Sequence, residues 1–148
     1  MAFLLDTNHC SKIIRRDSRV LSHLQSLDQD TVATCAIVRG ELIYMVANSK
    51  YKSENQIIVQ RFLSSIHVYE INSDVADTYG VLKARIIEKL RPKDQRKRQK
   101  NIFRDSGFSD NDLWIAATAI THQLVLVSAD DDFLRMQEVI DFQVENWR

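Results

Sequence analysis

Four acidic residues in this sequence stand where a carboxylate is costly to keep, and together they could hold a divalent cation. Asp6 ends the apolar run Ala2-Phe3-Leu4-Leu5, and Asp130 follows a second such run within Ser128-Ala129-Asp130-Asp131-Asp132. Three adjacent carboxylates repel one another and favour a cation nearby. Glu41 lies in a stretch of helical spacing. At about 100° per residue, Ile37, Val38, Tyr44 and Met45 all fall within about 60° of it, which puts the glutamate in the middle of an apolar face. Asp112 shares a face with Ile115, Ala116 and Ala119 at i+3, i+4 and i+7. Each acid also has a plain structural reading. Asp6 and one of the acids at 130–132 can cap helices. Glu41 can pair internally with Arg39 or Arg85. Ser109-x-x-Asp112 approaches a capping box, in a first turn where an acid suits the helix dipole. Taken together, two acids at strand ends and two on inward helix faces require a counter-charge, because burying an unpaired carboxylate costs several kcal/mol. Mg²⁺ or Mn²⁺, which take carboxylate and water oxygens, would supply it. Such an ion turns water into a nucleophile and stabilises charge on a phosphoryl group.

The charge distribution points the same way. The 148 residues contain 20 basic and 20 acidic side chains, so the formal net charge is zero. Residues 89 to 104 nevertheless carry eight Lys or Arg and one acid, Asp94, so a segment of +7 is attached to a body of −7. Clustering of one sign suits a polyanion or an acidic surface elsewhere in the fold, and beside a ring of acids that awaits metal the natural polyanion is a nucleic acid backbone.

The elements that must position these acids alternate between strand and helix. Ala2 to Leu5 reads as a buried strand. Thr7 to about Leu27 is helical, with a break near Asp17-Ser18. Thr31 to Thr34 is a short strand, followed by helices over about Ala36 to Ala47 and Ser53 to Leu63. Ile66 to Tyr69 is a strand. A long amphipathic helix runs from about Ser73 to Leu90, with Val75, Tyr79, Leu82, Ile86 and Leu90 at helical spacing. Pro92 ends it. A helix over about Asp110 to His122, a strand at Leu124 to Val127, a short helix around Asp132 to Met136 and a last strand near Phe142 to Val144 complete the pattern. Such alternation predicts an α/β fold whose mainly parallel sheet is covered on both faces. Ligands of such sheets bind beyond the carboxyl ends of the strands, where Asp6 and Asp130 stand.

These residues resemble a known family, the PIN-domain ribonucleases, and within it the VapC-type toxins of toxin–antitoxin pairs. Phe3-Leu4-Leu5-Asp6-Thr7-Asn8 is similar to the family's opening strand and first acid, and Glu41-Leu42 to its helix-borne second acid. Asn111-Asp112-Leu113-Trp114-Ile115-Ala116-Ala117 resembles the N-D-x-x-I-A-A helix start, and Leu126-Val127-Ser128-Ala129-Asp130-Asp131-Asp132-Phe133 the L-V-T-x-D-x-D-F ending. The resemblance implies a three-layer α/β/α PIN domain over residues 1–148 and a Mg²⁺- or Mn²⁺-dependent endoribonuclease. It also implies a cognate antitoxin as partner and a homodimer. It assigns Asp6, Glu41, Asp112 and Asp130 to the metal and catalytic site, with Asn8, Ser128 and Asp132 in support. Ser128 replaces the more usual Thr and keeps its hydroxyl. Residues 91 to 105 depart from the family pattern as a basic insertion, which makes Arg96, Lys97, Arg98 and Lys100 candidates for RNA binding.

Other classes fit less well. His9, His23, His67 and His122 have no HxxxH spacing and no Cys partners, which argues against zinc. No Gly-rich phosphate loop occurs. Asp6-Thr7-Asn8 lacks the second acid that aspartyl-phosphate hydrolases place two residues on. The acidic pair and lysine of a response-regulator receiver are missing. RNase H-like nucleases also use four acids, but their first lies within an antiparallel meander. A degenerate PIN scaffold that binds RNA or protein without catalysis should have lost at least one acid, and all four are present here. Cys10 and Cys35 form no CxxC and read as reduced thiols of a cytoplasmic protein. No apolar run approaches the roughly 20 residues of a membrane-spanning helix, and Met1 to Asp6 does not read as a secretory signal.

Overall fold

The computed structural model describes residues 1–27, 31–90 and 107–148. The basic insertion and the predicted break at Pro92 lie outside the described residues. In chain order the elements are β1 (Ala2–Leu5), α1 (Thr7–Ile14), α2 (Ser18–Ser26), β2 (Thr31–Cys35), α3 (Ala36–Ala47), α4 (Lys52–Ser64), β3 (His67–Tyr69) and α5 (Ser73–Leu90), then α6 (Asp110–Thr121), β4 (Val125–Val127), α7 (Asp131–Met136) and β5 (Val144–Glu145). The five strands form one sheet in the order β3-β2-β1-β4-β5, and every pairing is parallel. Helices cover both faces, so the predicted α/β/α architecture is the observed one.

The strand order explains where a site can form. From β1 the chain winds outward through β2 to β3, then returns to the other side of β1 for β4 and β5. The winding reverses between β1 and β4, and such a reversal leaves a crevice beyond the carboxyl ends of the two strands. Their register pairs Leu5 with Val127. The Asp6 backbone N–H extends the ladder by donating to the Val127 carbonyl at 3.1 Å.

The sheet can occupy the centre because its middle strands are apolar on both sides. Leu4, Leu5, Leu126 and Val127 have no exposed surface, as expected of parallel strands covered above and below. Val75, Leu82 and Ile86 of α5 turn inward, while Tyr79 stacks on Trp114 of α6 with ring centroids 3.7 Å apart and planes 5° from parallel. Near the other end of the sheet, the buried Trp147 ring meets Phe3 edge-on at 5.3 Å and stacks on His23 at 4.6 Å. None of the described helices is long and apolar enough to cross a membrane.

Helix α3 differs from the sequence expectation. Its buried stripe is Val38, Leu42 and Val46, while Tyr44 and Met45 are exposed. Glu41 is therefore at the half-buried edge of the packed face and not at its centre. A projection of apolar residues cannot tell which of two apolar sides meets the sheet, and this helix is apolar on both.

Candidate functional site

Asp6 caps α1. Its Oδ1 accepts the His9 backbone N–H at 2.8 Å, and the His9 ring Nδ1 lies 3.0 Å from the same oxygen. A carboxylate oxygen at that distance keeps the imidazole proton on Nδ1. Both groups are buried, and the far ring nitrogen, Nε2, has no hydrogen-bond partner. Every hydrogen bond given to the Asp6 side chain converges on Oδ1, which leaves Oδ2 without a donor among the described residues.

Asp130 caps α7 by accepting the Asp132 backbone N–H at 2.9 Å. The turn before it is held by Ser128, whose buried hydroxyl oxygen accepts the Asp130 backbone N–H at 3.0 Å. Ser128 is tied in turn to β5 by its own N–H, which donates to the Glu145 carbonyl at 2.8 Å. Asp112 enters from α6, in the first turn that Ser109 caps by accepting the Asp112 N–H at 3.1 Å. Just upstream, Gly107 takes φ +82°, a left-handed turn that glycine adopts without strain.

Carboxylate oxygens of Asp112, Asp130 and Asp132 all lie within 4.8 Å of one another. Asp132, which the sequence placed in a supporting role, thus stands in the cluster itself, because the α7 cap folds residue 132 back over residue 130. Arg135 partly offsets it, with Nη1 3.2 Å from Asp132 Oδ1. The crowding is felt most by Asp112. Burial raises its pKa to about 6, the charges of Asp130, Asp132 and Glu41 add to the rise, and the Ser109 hydroxyl opposes it.

Glu41 has no ionic partner among the described residues, so neither Arg39 nor Arg85 neutralises it. Instead the Thr7 hydroxyl donates to its Oε1 at 2.8 Å. Thr7 and His9 were missed as orienting groups. Thr7 meets Glu41 across 34 residues of chain, a pairing without any local signal, whereas His9 at i+3 from a capping acid could have been found. Asn8 is exposed on α1. Arg96, Lys97, Arg98 and Lys100 lie outside the described residues.

The donor set is all oxygen, anionic and short of positive charge, which fits a hard divalent cation such as Mg²⁺ or Mn²⁺ and does not fit a soft metal. Such an arrangement can carry hydrolysis at a phosphoryl group.

Comparison with known proteins identifies the family. Residues 3–139 match the family model of the PIN domain. A ribonuclease VapC2 of Rickettsia felis is 30% identical over 150 aligned positions that cover 99% of this chain and 98% of that protein. A ribonuclease VapC2 of Haemophilus influenzae is 29% identical over 149 positions, with the same 99% and 98% coverage. Among solved structures, VapBC2 of Rickettsia felis bound to a DNA fragment from its promoter contains a chain that superposes with a TM-score of 0.81 at 28% identity, over the full length of both chains.

Proposed function

Because the chain belongs to the PIN domain family and, within it, to the VapC ribonucleases, we propose that it is a Mg²⁺- or Mn²⁺-dependent endoribonuclease and the toxin of a toxin–antitoxin pair. The observation that carries this reading is the set of three carboxylates within 4.8 Å of one another at the reversal of the sheet. On this reading Asp6, Glu41, Asp112 and Asp130 hold the metal, with Asp132 beside them. When bound, the ion supplies an activated water and charge stabilisation at the scissile phosphate.

The protein's part is to fix its oxygens before the ion arrives. His9 holds Asp6 by one oxygen and leaves the other for the ion. The Thr7 hydroxyl sets the rotation of Glu41. The Ser109 cap positions the turn that carries Asp112, and Ser128 shapes the loop that presents Asp130. The two free, buried cysteines suit a reducing cytoplasm. An active nuclease there needs restraint, which an antitoxin supplies. The relatives' solved complexes carry the same pairing, and the free toxin is taken as a homodimer, which sedimentation would show at twice the 17.2 kDa chain mass.

The test is cleavage of cellular RNA by the purified chain. Fragments should form with Mg²⁺ or Mn²⁺, disappear with chelator and stay below detection for Asp112→Asn. Full activity of that variant, with the metal requirement intact, overturns the assignment of the site. In cells, expression should arrest growth, and co-expression of the small gene beside it should restore growth.

A further inference from the structure

A second feature lies next to the acids but is opposite in charge. Asn8 and Lys12 of α1 and Arg15, which caps its C-terminus, are spaced i, i+4 and i+7 along one side of the helix. They line a cleft of about 360 Å³ whose remaining walls are Asp17 and Ala129. Ala129 immediately precedes Asp130, and Asn8 is two residues beyond Asp6, so the cleft opens beside the acidic cluster.

Its cations are available. Arg15, which also lines the separate cleft with Ser11 and Ile14, donates from Nε and Nη2 to the Ser11 hydroxyl at 3.1 and 2.6 Å, a neutral partner that steadies the guanidinium, and it forms no ion pair among the described residues. Lys12 forms no ion pair with any acid among the described residues. Asp17, the one acid in the wall, has its Oδ1 occupied in capping α2, where it accepts the Arg19 and Val20 backbone N–H groups. Those bonds, the one from Val20 foremost, hold its carboxyl below the usual range, and the charges of Lys12 and Arg19 add to the lowering. The cleft therefore sets two cations and an amide against a single anion, an excess of one positive charge.

We propose that Asn8, Lys12 and Arg15 form a subsite for a backbone phosphate of the RNA strand, flanking the phosphate that is cut. This rests on the ribonuclease reading given above. A cluster of carboxylates repels a polyanion until metal neutralises it, so the strand needs a positive foothold within a nucleotide or two of the acids. A cation in the last turn of α1 and another at its C-cap provide one, and Asn8 adds a neutral donor that tolerates any base. Contacts of this kind hold the strand in register and carry no sequence information.

The test is binding of a short, labelled single-stranded RNA to the full chain, followed by anisotropy across a salt series with no metal ion added. Each phosphate contact on single-stranded RNA contributes about 0.7 to the salt slope, a factor of about five at 0.1 M salt. Lys12→Gln should weaken binding about fivefold at that salt and lower the slope by about 0.7. Lys12→Gln with Arg15→Gln should weaken it about 25-fold and lower the slope by about 1.4. Lys12→Arg should keep the wild-type slope. Mn²⁺ binding, read by electron paramagnetic resonance, should be the same in all four proteins. If wild type binds and cleaves RNA while the double variant keeps its affinity and slope, the subsite is wrong and the ribonuclease reading stands. A loss confined to antitoxin binding, or a parallel loss of Mn²⁺ affinity, also overturns it. If wild type neither binds nor cleaves RNA, the ribonuclease reading fails and takes the subsite with it.

Discussion

In the folded chain Asp112 ionises near pH 6, against an ordinary aspartate value of 3.8. A raised acid pKa means that between about pH 4 and pH 6 the folded state holds more protons than the unfolded state, so stability falls as pH rises through that window. With solvent screening allowed for at a half-buried group, the loss is about 1–2 kcal/mol. Metal-free Asp112→Asn should therefore melt above wild type at pH 7 and lack this part of the decline, and Mg²⁺ should raise the wild-type melting temperature selectively. Matching melting profiles for the two metal-free proteins would remove the electrostatic basis of the site. At this scale the sequence was informative where an acid interrupts an apolar pattern, as at Asp112, which is half-buried within the acidic cluster. It misled at Tyr44 and Met45, whose apolar character places them on either side of α3 equally well. It was silent on the Thr7–Glu41 hydrogen bond, because the partners meet only through the packing of α1 against α3.

At the level of elements, Asp6 has two duties that can be separated. As the cap of α1 it accepts the His9 N–H, a bond whose loss costs about 1 kcal/mol. As a proposed ligand it offers its second oxygen. Asp6→Asn keeps an accepting oxygen and should retain nearly wild-type stability, whereas Asp6→Ala should lose about 1–2 kcal/mol in chemical denaturation, and both should be inactive. Equal stability of the two variants would mean that the cap contributes nothing. The strands β1 and β4 were legible because a strand buried on both faces reads as an unbroken apolar run. Their adjacency was not, since no residue in either strand names its neighbour. The strand β5 begins two residues and ends one residue beyond its expected place, as Val144–Glu145, because so short an edge strand has too few residues to set a period.

Across the whole molecule, the exposed apolar residues are unevenly placed. Tyr44 is 68% exposed, Ile57 59% and Ile58 45%, and with Met45 they lie on α3 and α4. Met45 and Ile58 line a cleft of about 310 Å³ between those helices and α1. A surface of this kind is normally covered by a partner, and the antitoxin is the partner the proposed function requires. Tyr44→Asp and Ile58→Asp should each weaken capture of the antitoxin encoded beside the gene by about 30-fold or more, the scale of a buried contact at an interface, with unchanged circular dichroism. Undiminished capture by both would place the antitoxin on another face. The reversal of the sheet between β1 and β4 carries a last consequence, one of timing. Asp6 leaves the ribosome long before the strand that completes its side of the crevice, which begins only at Val125. A chain made only as far as α6 lacks β4 and the turn that carries Asp130, so it cannot assemble the crevice, however well its early helices form. On the proposed function, an antitoxin meets a formed crevice only after β4 has been added to the sheet.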